Sequence, residues 1–205
     1  MNNNKTILII GASGGIGYEI TKHFFMKNRS ILICSKNRKS IMQTKNRLIK
    51  KYPEKNKILK YSTLDISNNN SINRIFKKIK KELLEIETVI NCAGIIDPVG
   101  EFKKINYESW VKNINVNFLG PVYFYKKLLI YFSKTKTRKN IIQFSGGGAT
   151  KAIQNLSAYS VSKTAMVRFI ESLAMENNNN QIYFNAIAPG IIKTNMTKKI
   201  LNYGK

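Results

Sequence analysis

Tyr159 and Lys163 stand four residues apart in a stretch, residues 158–175, whose apolar spacing predicts a helix, so the two side chains share one face. A phenol with an ordinary pKa of ~10 moves protons poorly near neutral pH. A cation one turn away can lower that value, and such a pair can then give a proton to a carbonyl oxygen or take one from an alcohol. Taken alone, a tyrosine and a lysine at this spacing are more often a surface pair. The company the pair keeps changes that reading. Near the other end of the chain, Gly11-Ala12-Ser13-Gly14-Gly15-Ile16-Gly17 follows the apolar run Ile7-Leu8-Ile9-Ile10 and leads into residues 18–27, where Ile20, His23, Phe24 and Lys27 recur at helical spacing. A glycine turn between strand and helix lets backbone approach a pyrophosphate, and the helix start offers it unpaired N–H groups and partial positive charge.

The elements that must hold these two features alternate along the chain. Apolar runs predict further strands over 30–35, 57–64, 88–91, 140–144 and 181–187. Between them, helices are predicted over 40–50, where Tyr52-Pro53 ends the run, and over 72–86, carried by Ile72, Ile75, Phe76, Ile79, Leu83 and Ile86. A long helix over 109–132 contains Gly120-Pro121, which should disturb it locally. Strands and helices alternating in this way predict an α/β fold, a three-layer doubly wound parallel sheet of about six strands.

With 205 residues, 43% of them hydrophobic, the chain can bury one substantial core, and a single domain over 1–205 is expected. No apolar run approaches the ~20 residues of a membrane span, and residues 1–5 lead into no signal-peptide pattern, so the cytoplasm is the expected compartment. Cys34 and Cys92 are too few and too separated for a disulfide framework or a metal site, and no metal is expected. The formal charge of +24 raises the possibility of a polyanion partner. Against it, the lysines are spread over nearly every predicted helix, and Lys, Asn and Ile are over-used together, as AT-rich codons would produce. Neither a nucleic acid nor a membrane is the expected partner.

Five motifs now fall into order: Gly11-x-x-x-Gly15-Ile16-Gly17, Asn91-Cys92-Ala93-Gly94, Asn117-Phe-Leu-Gly120, Tyr159-x-x-x-Lys163 and Pro189-Gly190-x-x-x-Thr194. In order and spacing the chain resembles the short-chain dehydrogenase/reductase family over nearly its whole length. The resemblance implies a Rossmann fold that binds NAD(H) or NADP(H) and transfers hydride between the cofactor and a carbonyl or alcohol substrate. It implies Tyr159 as acid/base, Lys163 as its helper and as a ligand of the nicotinamide ribose, and Asn117 as the anchor of a proton-relaying water. Gly11, Ser13, Gly15, Ile16 and Gly17 would hold the pyrophosphate. Asp65 and Ile66 would meet the adenine, and Asn91, Ala93 and Gly94 would line the cofactor. Pro189, Gly190, Ile192 and Thr194 would bracket the nicotinamide, with Thr194 on its carboxamide.

Cofactor choice turns on the end of the second strand. NAD-specific sites place an acidic residue there, roughly 20 residues past the glycine loop. This chain has Ser35-Lys36-Asn37-Arg38, a hydroxyl followed by a cation, which suits a 2′-phosphate, so NADP(H) is favoured over NAD(H).

Two departures from the family pattern stand out. The family places its substrate-polarising serine one step closer to the tyrosine than Ser145, where this chain has Gly146. Ser145 is the candidate for that role, with the backbone N–H of the glycine run or Tyr159 alone as alternatives. The chain also continues only to Lys205, 15 residues past Gly190, where the family adds substrate-covering helices and a seventh strand that also builds the oligomer. The seventh strand and the substrate lid are therefore expected to be missing, and a homo-oligomer would lack its usual contacts. The leading function is a short-chain NADPH-dependent oxidoreductase, with a 3-oxoacyl thioester or a sugar derivative among its possible substrates. A non-catalytic NADP(H)-binding subunit or sensor is the alternative, and a polyanion-binding protein on the same fold the third.

Overall fold

The computed structural model describes residues 5–133, 135, 137–194, 196 and 197. Six strands, β1 (Lys5–Ile10), β2 (Ser30–Ser35), β3 (Leu59–Thr63), β4 (Glu85–Asn91), β5 (Lys139–Phe144) and β6 (Ile182–Ile187), pair in parallel in the order β3-β2-β1-β4-β5-β6. The fold is the Rossmann-type α/β sheet anticipated from the alternation of elements. The order reverses between β1 and β4, and in such sheets the crevice beyond the carboxyl ends at that point is where ligands bind.

Alternation along β1 shows why both faces are covered. Ile7 and Ile9 pack into a core with Phe25, Ile41 and Leu48, contributed by α1 (Gly15–Met26) and α2 (Arg38–Lys51). Leu8 and Ile10 pack on the opposite face against Ile72, Phe124 and Met166, from α3 (Asn69–Lys81), α5 (Gly120–Phe132) and α6 (Ser157–Asn177). The strands are apolar on both sides because both sides are buried.

The chain's many asparagines cap its helices. Asn37, Asn68 and Asn106 accept the backbone N–H of Ser40, Ser71 and Ser109 at 3.0, 2.9 and 2.9 Å, opening α2, α3 and α4 (Tyr107–Ile114). In contrast α1 has Gly14 at its N-cap position, which offers no side-chain cap. Its first-turn N–H groups are left to something other than a capping side chain.

Two predicted helices differ from the observed ones. The helix expected over 72–86 ends at Lys81, since Leu83 turns to a φ of 49° and the Leu84 N–H closes back on the Ile79 carbonyl at 3.0 Å. Ile86, in phase with the helical stripe, belongs instead to β4 and pairs with Thr6. The helix expected over 109–132 is α4 and α5 joined by a π-helical turn, Asn115–Leu119. Pro121 cannot donate the N–H that an α-helix would send to the Asn117 carbonyl, and the ladder widens so that the Gly120 N–H reaches the Asn115 carbonyl. Gly120 is needed at this turn for space: a Cβ there would lie 2.0 Å from the Ile66 carbonyl oxygen.

Candidate active site

The π turn aims Asn117 inward. Its amide nitrogen donates to the Ile95 carbonyl at 2.8 Å and to Asn113 Oδ1 at 2.8 Å, while its amide oxygen accepts the Ile95 N–H at 2.8 Å. Ser162 adds a bond to Asn113 Oδ1 at 2.9 Å, and Asn113 Nδ2 donates to the Asp97 carbonyl at 2.7 Å. This buried net fixes the segment after β4 against α6. Neither Asn113 nor Ser162 is among the site residues the motifs predict, although Asn113 lies one turn before Asn117 and Ser162 inside the Tyr-x-x-x-Lys motif. With its side chain engaged on protein groups, Asn117 acts in this structure as a strut.

Lys163 is buried on the adjacent turn of α6, and Nζ donates to the Phe144 carbonyl at 3.2 Å. The missing side chain of Gly94 makes its space, since an added Cβ would sit 3.3 Å from Nζ and 3.1 Å from Asn117 Oδ1. Burial pulls the Lys163 ammonium down to about 8, against a smaller opposing effect of Cys92. Lys163 Nζ lies 5.7 Å from the centre of the Tyr159 ring. Burial raises the Tyr159 phenol above its ordinary value, the reverse of the lowering expected from the lysine. The reason is that loss of water disfavours the phenolate more than this lysine, itself drawn toward neutrality, can compensate.

Gly146 lies directly against the tyrosine. A Cβ at Gly146 would fall 2.1 Å from Tyr159 Oη, so the phenol occupies the space that a side chain at this position would claim. Ser145 is buried, and its Oγ donates to the Lys163 carbonyl at 3.2 Å rather than to the phenol. Ser145, Gly146, Tyr159, Lys163, Gly94, Pro189 and Gly190 all border one cleft of about 640 Å³. Its other walls are mostly apolar, with Ile96, Ile153, Leu156 and Met196 among them.

A second cleft, of about 590 Å³, runs from Ser13, Gly14 and Gly15 between α1 and α2 to Ser40 and Arg47. Ile16, Ile192 and Thr194 border both clefts, so the two meet at the glycine loop. That loop is fixed from below, where the Gly11 and Ala12 N–H groups both reach the Cys34 carbonyl, at 2.8 and 3.1 Å. Gly11 has a φ of +81°, and a Cβ on it would lie 2.6 Å from the Ala93 nitrogen. Gly17 packs on Gly11, and its added Cβ would lie 2.3 Å from the Gly11 carbonyl oxygen. Gly14 meets nothing within 4 Å and faces the open cleft. An uncapped helix start, a side-chain-free backbone and flanking cations fit a dinucleotide diphosphate.

Three of the expected cofactor residues face elsewhere. Asn91 spends its amide on Gln143 Oε1 (2.9 Å) and on the Ala93 N–H (3.1 Å), shaping the turn after β4 from beneath. Ser35 is buried, with Oγ donating to the Asn37 carbonyl at 3.1 Å. Ile66 is buried under the π turn. Lys36 and Asp65 form an ion pair with each other. Burial works against the Asp65 carboxylate, but hydrogen bonds from Lys36 and Ser67 outweigh it and hold the carboxyl below its ordinary range. Among the described residues no helix is long and apolar enough to cross a membrane.

The family model for short chain dehydrogenases matches residues 5–203. An uncharacterized oxidoreductase of Schizosaccharomyces pombe is 28% identical over 202 residues, 98% of this chain and 65% of that protein. This chain therefore spans just under two thirds of that relative. The (S)-benzoin-forming benzil reductase of Saccharomyces cerevisiae is 27% identical over 201 residues, 96% of this chain and 74% of the relative. Among solved structures, ElxO with NADP bound superimposes with a TM-score of 0.86 at 26% identity, covering 98% of this chain and 79% of its own. A 4-hydroxyisoleucine dehydrogenase complexed with NADH gives a TM-score of 0.82 at 25% identity, covering 98% and 82%.

Proposed function

The chain belongs to the short-chain dehydrogenase family, whose matched relatives are oxidoreductases, and from that premise we propose that it reduces a small, largely apolar ketone with NADPH. Bound at the junction of the two clefts, the nicotinamide would supply the hydride. The residues that would hold the dinucleotide are the glycine loop, Gly94, Pro189, Gly190, Ile192 and Thr194, with Lys163 at the ribose.

Everything else falls to the chain's own side chains. Tyr159 keeps its proton because burial disfavours the phenolate, which suits a donor to a developing alkoxide. Lys163, held by the Phe144 carbonyl, provides positive charge behind the phenol as that proton leaves. Gly146 offers no hydroxyl, so Tyr159 polarises the substrate oxygen alone or with backbone N–H groups of the glycine run. The apolar walls exclude water from the reacting carbonyl and favour an apolar flank on the substrate. Benzil, the substrate named for the yeast relative, is the natural first probe.

The observation that carries the reading is the convergence of Tyr159, Lys163 and the uncapped glycine loop on connected clefts. NADPH oxidation followed with benzil and a panel of aliphatic ketones and 3-oxoacyl thioesters tests it. NADPH bound without turnover of any of them would favour a non-catalytic nucleotide-binding role, consistent with the missing serine.

A further inference from the structure

We propose that the groove between α3 and α5 is a binding site for a single phosphodiester strand. The groove has a volume of about 530 Å³ and is lined by Arg74, Lys77, Lys80 and Lys127, together with Asn70, Asn73 and Tyr131. No acidic residue lines it among the described residues. Two other clefts mix signs, with Glu19 beside Arg47 and Lys193 in one and Glu108 beside Lys112 in another, and the cleft that holds Tyr159 has only Lys151 and Lys163 as its charged groups.

The acids nearest in sequence are already engaged. Glu82 takes Lys60 at 2.9 Å and Lys78 at 3.6 Å, and Glu85 lies 3.9 Å from Lys139. Among the described residues the four groove cations have no ion-pair partner, and three of them, Arg74, Lys77 and Lys80, are exposed. A concave surface lined by one sign of charge focuses its field and concentrates a polyanion.

The geometry favours a strand over a flat anionic surface. Arg74, Lys77 and Lys80 follow one another at three-residue intervals along α3, steps of ~4.5 Å along the helix axis. A row of cations spaced along a recess in this way can meet successive phosphates of one strand, whose charges also follow one another along a line. Lys127 faces this ladder from α5, held by the Tyr123 ring 5.4 Å from its Nζ. Tyr123 in turn donates to Asn73 Oδ1 at 3.0 Å, tying the two walls together. Tyr131 lines the same recess and adds an aromatic ring, the group that accompanies cations in single-strand grooves. A membrane would contact a convex or flat face, and these cations stand around a recess. In the sequence the lysines look evenly spread, and only the packing of α5 beside α3 brings these four together.

The test uses the full chain and a fluorescein-labelled oligo(dT) of about 20 nucleotides, titrated by anisotropy at several salt concentrations. Substituting Arg74→Glu, Lys77→Glu and Lys80→Glu together should weaken binding at low salt by at least ~10-fold and reduce the slope of log K against log salt by about 2. Lys39→Glu, Lys50→Glu and Lys57→Glu, which change the net charge equally elsewhere, should cost much less on both measures. NADPH affinity reports folding in each case. If the first variant fails to fold, Lys77→Gln with Lys80→Gln should reduce the slope by about 1. Equal losses in the two triple variants, no strand binding by the parent chain, or groove substitutions that abolish binding to phosphatidylserine vesicles while sparing the strand would each overturn the proposal.

Discussion

Lys36 Nζ and Asp65 Oδ2 lie 2.8 Å apart, so the cation at the end of β2 and the acid just past β3 form one unit. Read separately, the first would hold a 2′-phosphate and the second an adenine. Joined, they present little net charge. A phosphate arriving at Lys36 must compete with a carboxylate already there, and Arg38, next in line on α2, is a second cation within the same stretch.

Asp65→Asn should therefore shift the preference toward NADPH, raising the ratio of NADPH to NADH affinity severalfold by releasing Lys36. Lys36→Glu should lower that ratio, since two carboxylates would face the phosphate. Fluorescence titration of both cofactors against both variants checks the pair. An unchanged ratio in Asp65→Asn would show that Lys36 does not discriminate.

Tyr159→Phe should reduce carbonyl reduction by about 10²–10⁴-fold, the usual worth of a positioned proton donor, with cofactor affinity nearly unchanged. The ring still packs and only the hydroxyl is lost. Steady-state rates beside NADPH binding measure the two effects separately.

Gly146→Ala should lower kcat more than Ser145→Ala. At position 146 even a methyl group must push the phenol aside, because its carbon would fall 2.1 Å from Oη. Removing the Ser145 hydroxyl breaks one bond to the Lys163 carbonyl, a stability cost of about 1 kcal/mol, and leaves the phenol untouched. Rates and melting temperatures of both variants check the order. A large rate loss in Ser145→Ala with an unchanged melting temperature would restore Ser145 to the polarising role.

Lys163→Met should raise the melting temperature at neutral pH while abolishing efficient turnover. The folded-state value near 8 lies below the 10.5 of an unperturbed lysine, so burying the charge costs up to about 3 kcal/mol. Below pH 8 the lysine is protonated in both states and the cost is fully present. Between about 8 and 10.5 the unfolded chain holds the extra proton, so stability rises with pH. The advantage of the methionine variant should accordingly shrink as pH rises through this window, which paired melts at pH 7 and pH 9.5 would show. A constant difference would mean that Lys163 titrates as an exposed lysine.

The strand, glycine loop and helix that begin the chain were legible because hydrophobic period and glycine spacing are local properties. The second strand was read at its observed limits for the same reason. Ile86 sits in a strand although its spacing predicts helix, because a residue two places beyond a tight turn can stay in phase with the helix before it. The direction of the Ser145 hydroxyl and the pairing of Lys36 with Asp65 depend on neighbours far along the chain, and the Ser35 hydroxyl turns to the Asn37 carbonyl two residues on; none of the three leaves a trace in spacing. The expected lowering of the Tyr159 phenol failed for a different reason. Helical spacing gives the direction of a charge but says nothing of how much water surrounds it.

The two bonds from Gly11 and Ala12 to the Cys34 carbonyl have a consequence for the entropy of binding. They anchor to the sheet the backbone just before the cleft-lining Ser13, Gly14 and Gly15, so a dinucleotide seated there would remove little conformational freedom. Around Ile192 and Thr194 the bonds are local instead, from the Thr194 N–H to Thr197 Oγ1 at 2.8 Å and from Thr197 Oγ1 to the Ile192 carbonyl at 2.7 Å. Ordering on binding of a dinucleotide should therefore be concentrated on the far side of the cleft. Substitutions near Thr194 should alter the entropy of association, and those in the glycine loop its enthalpy.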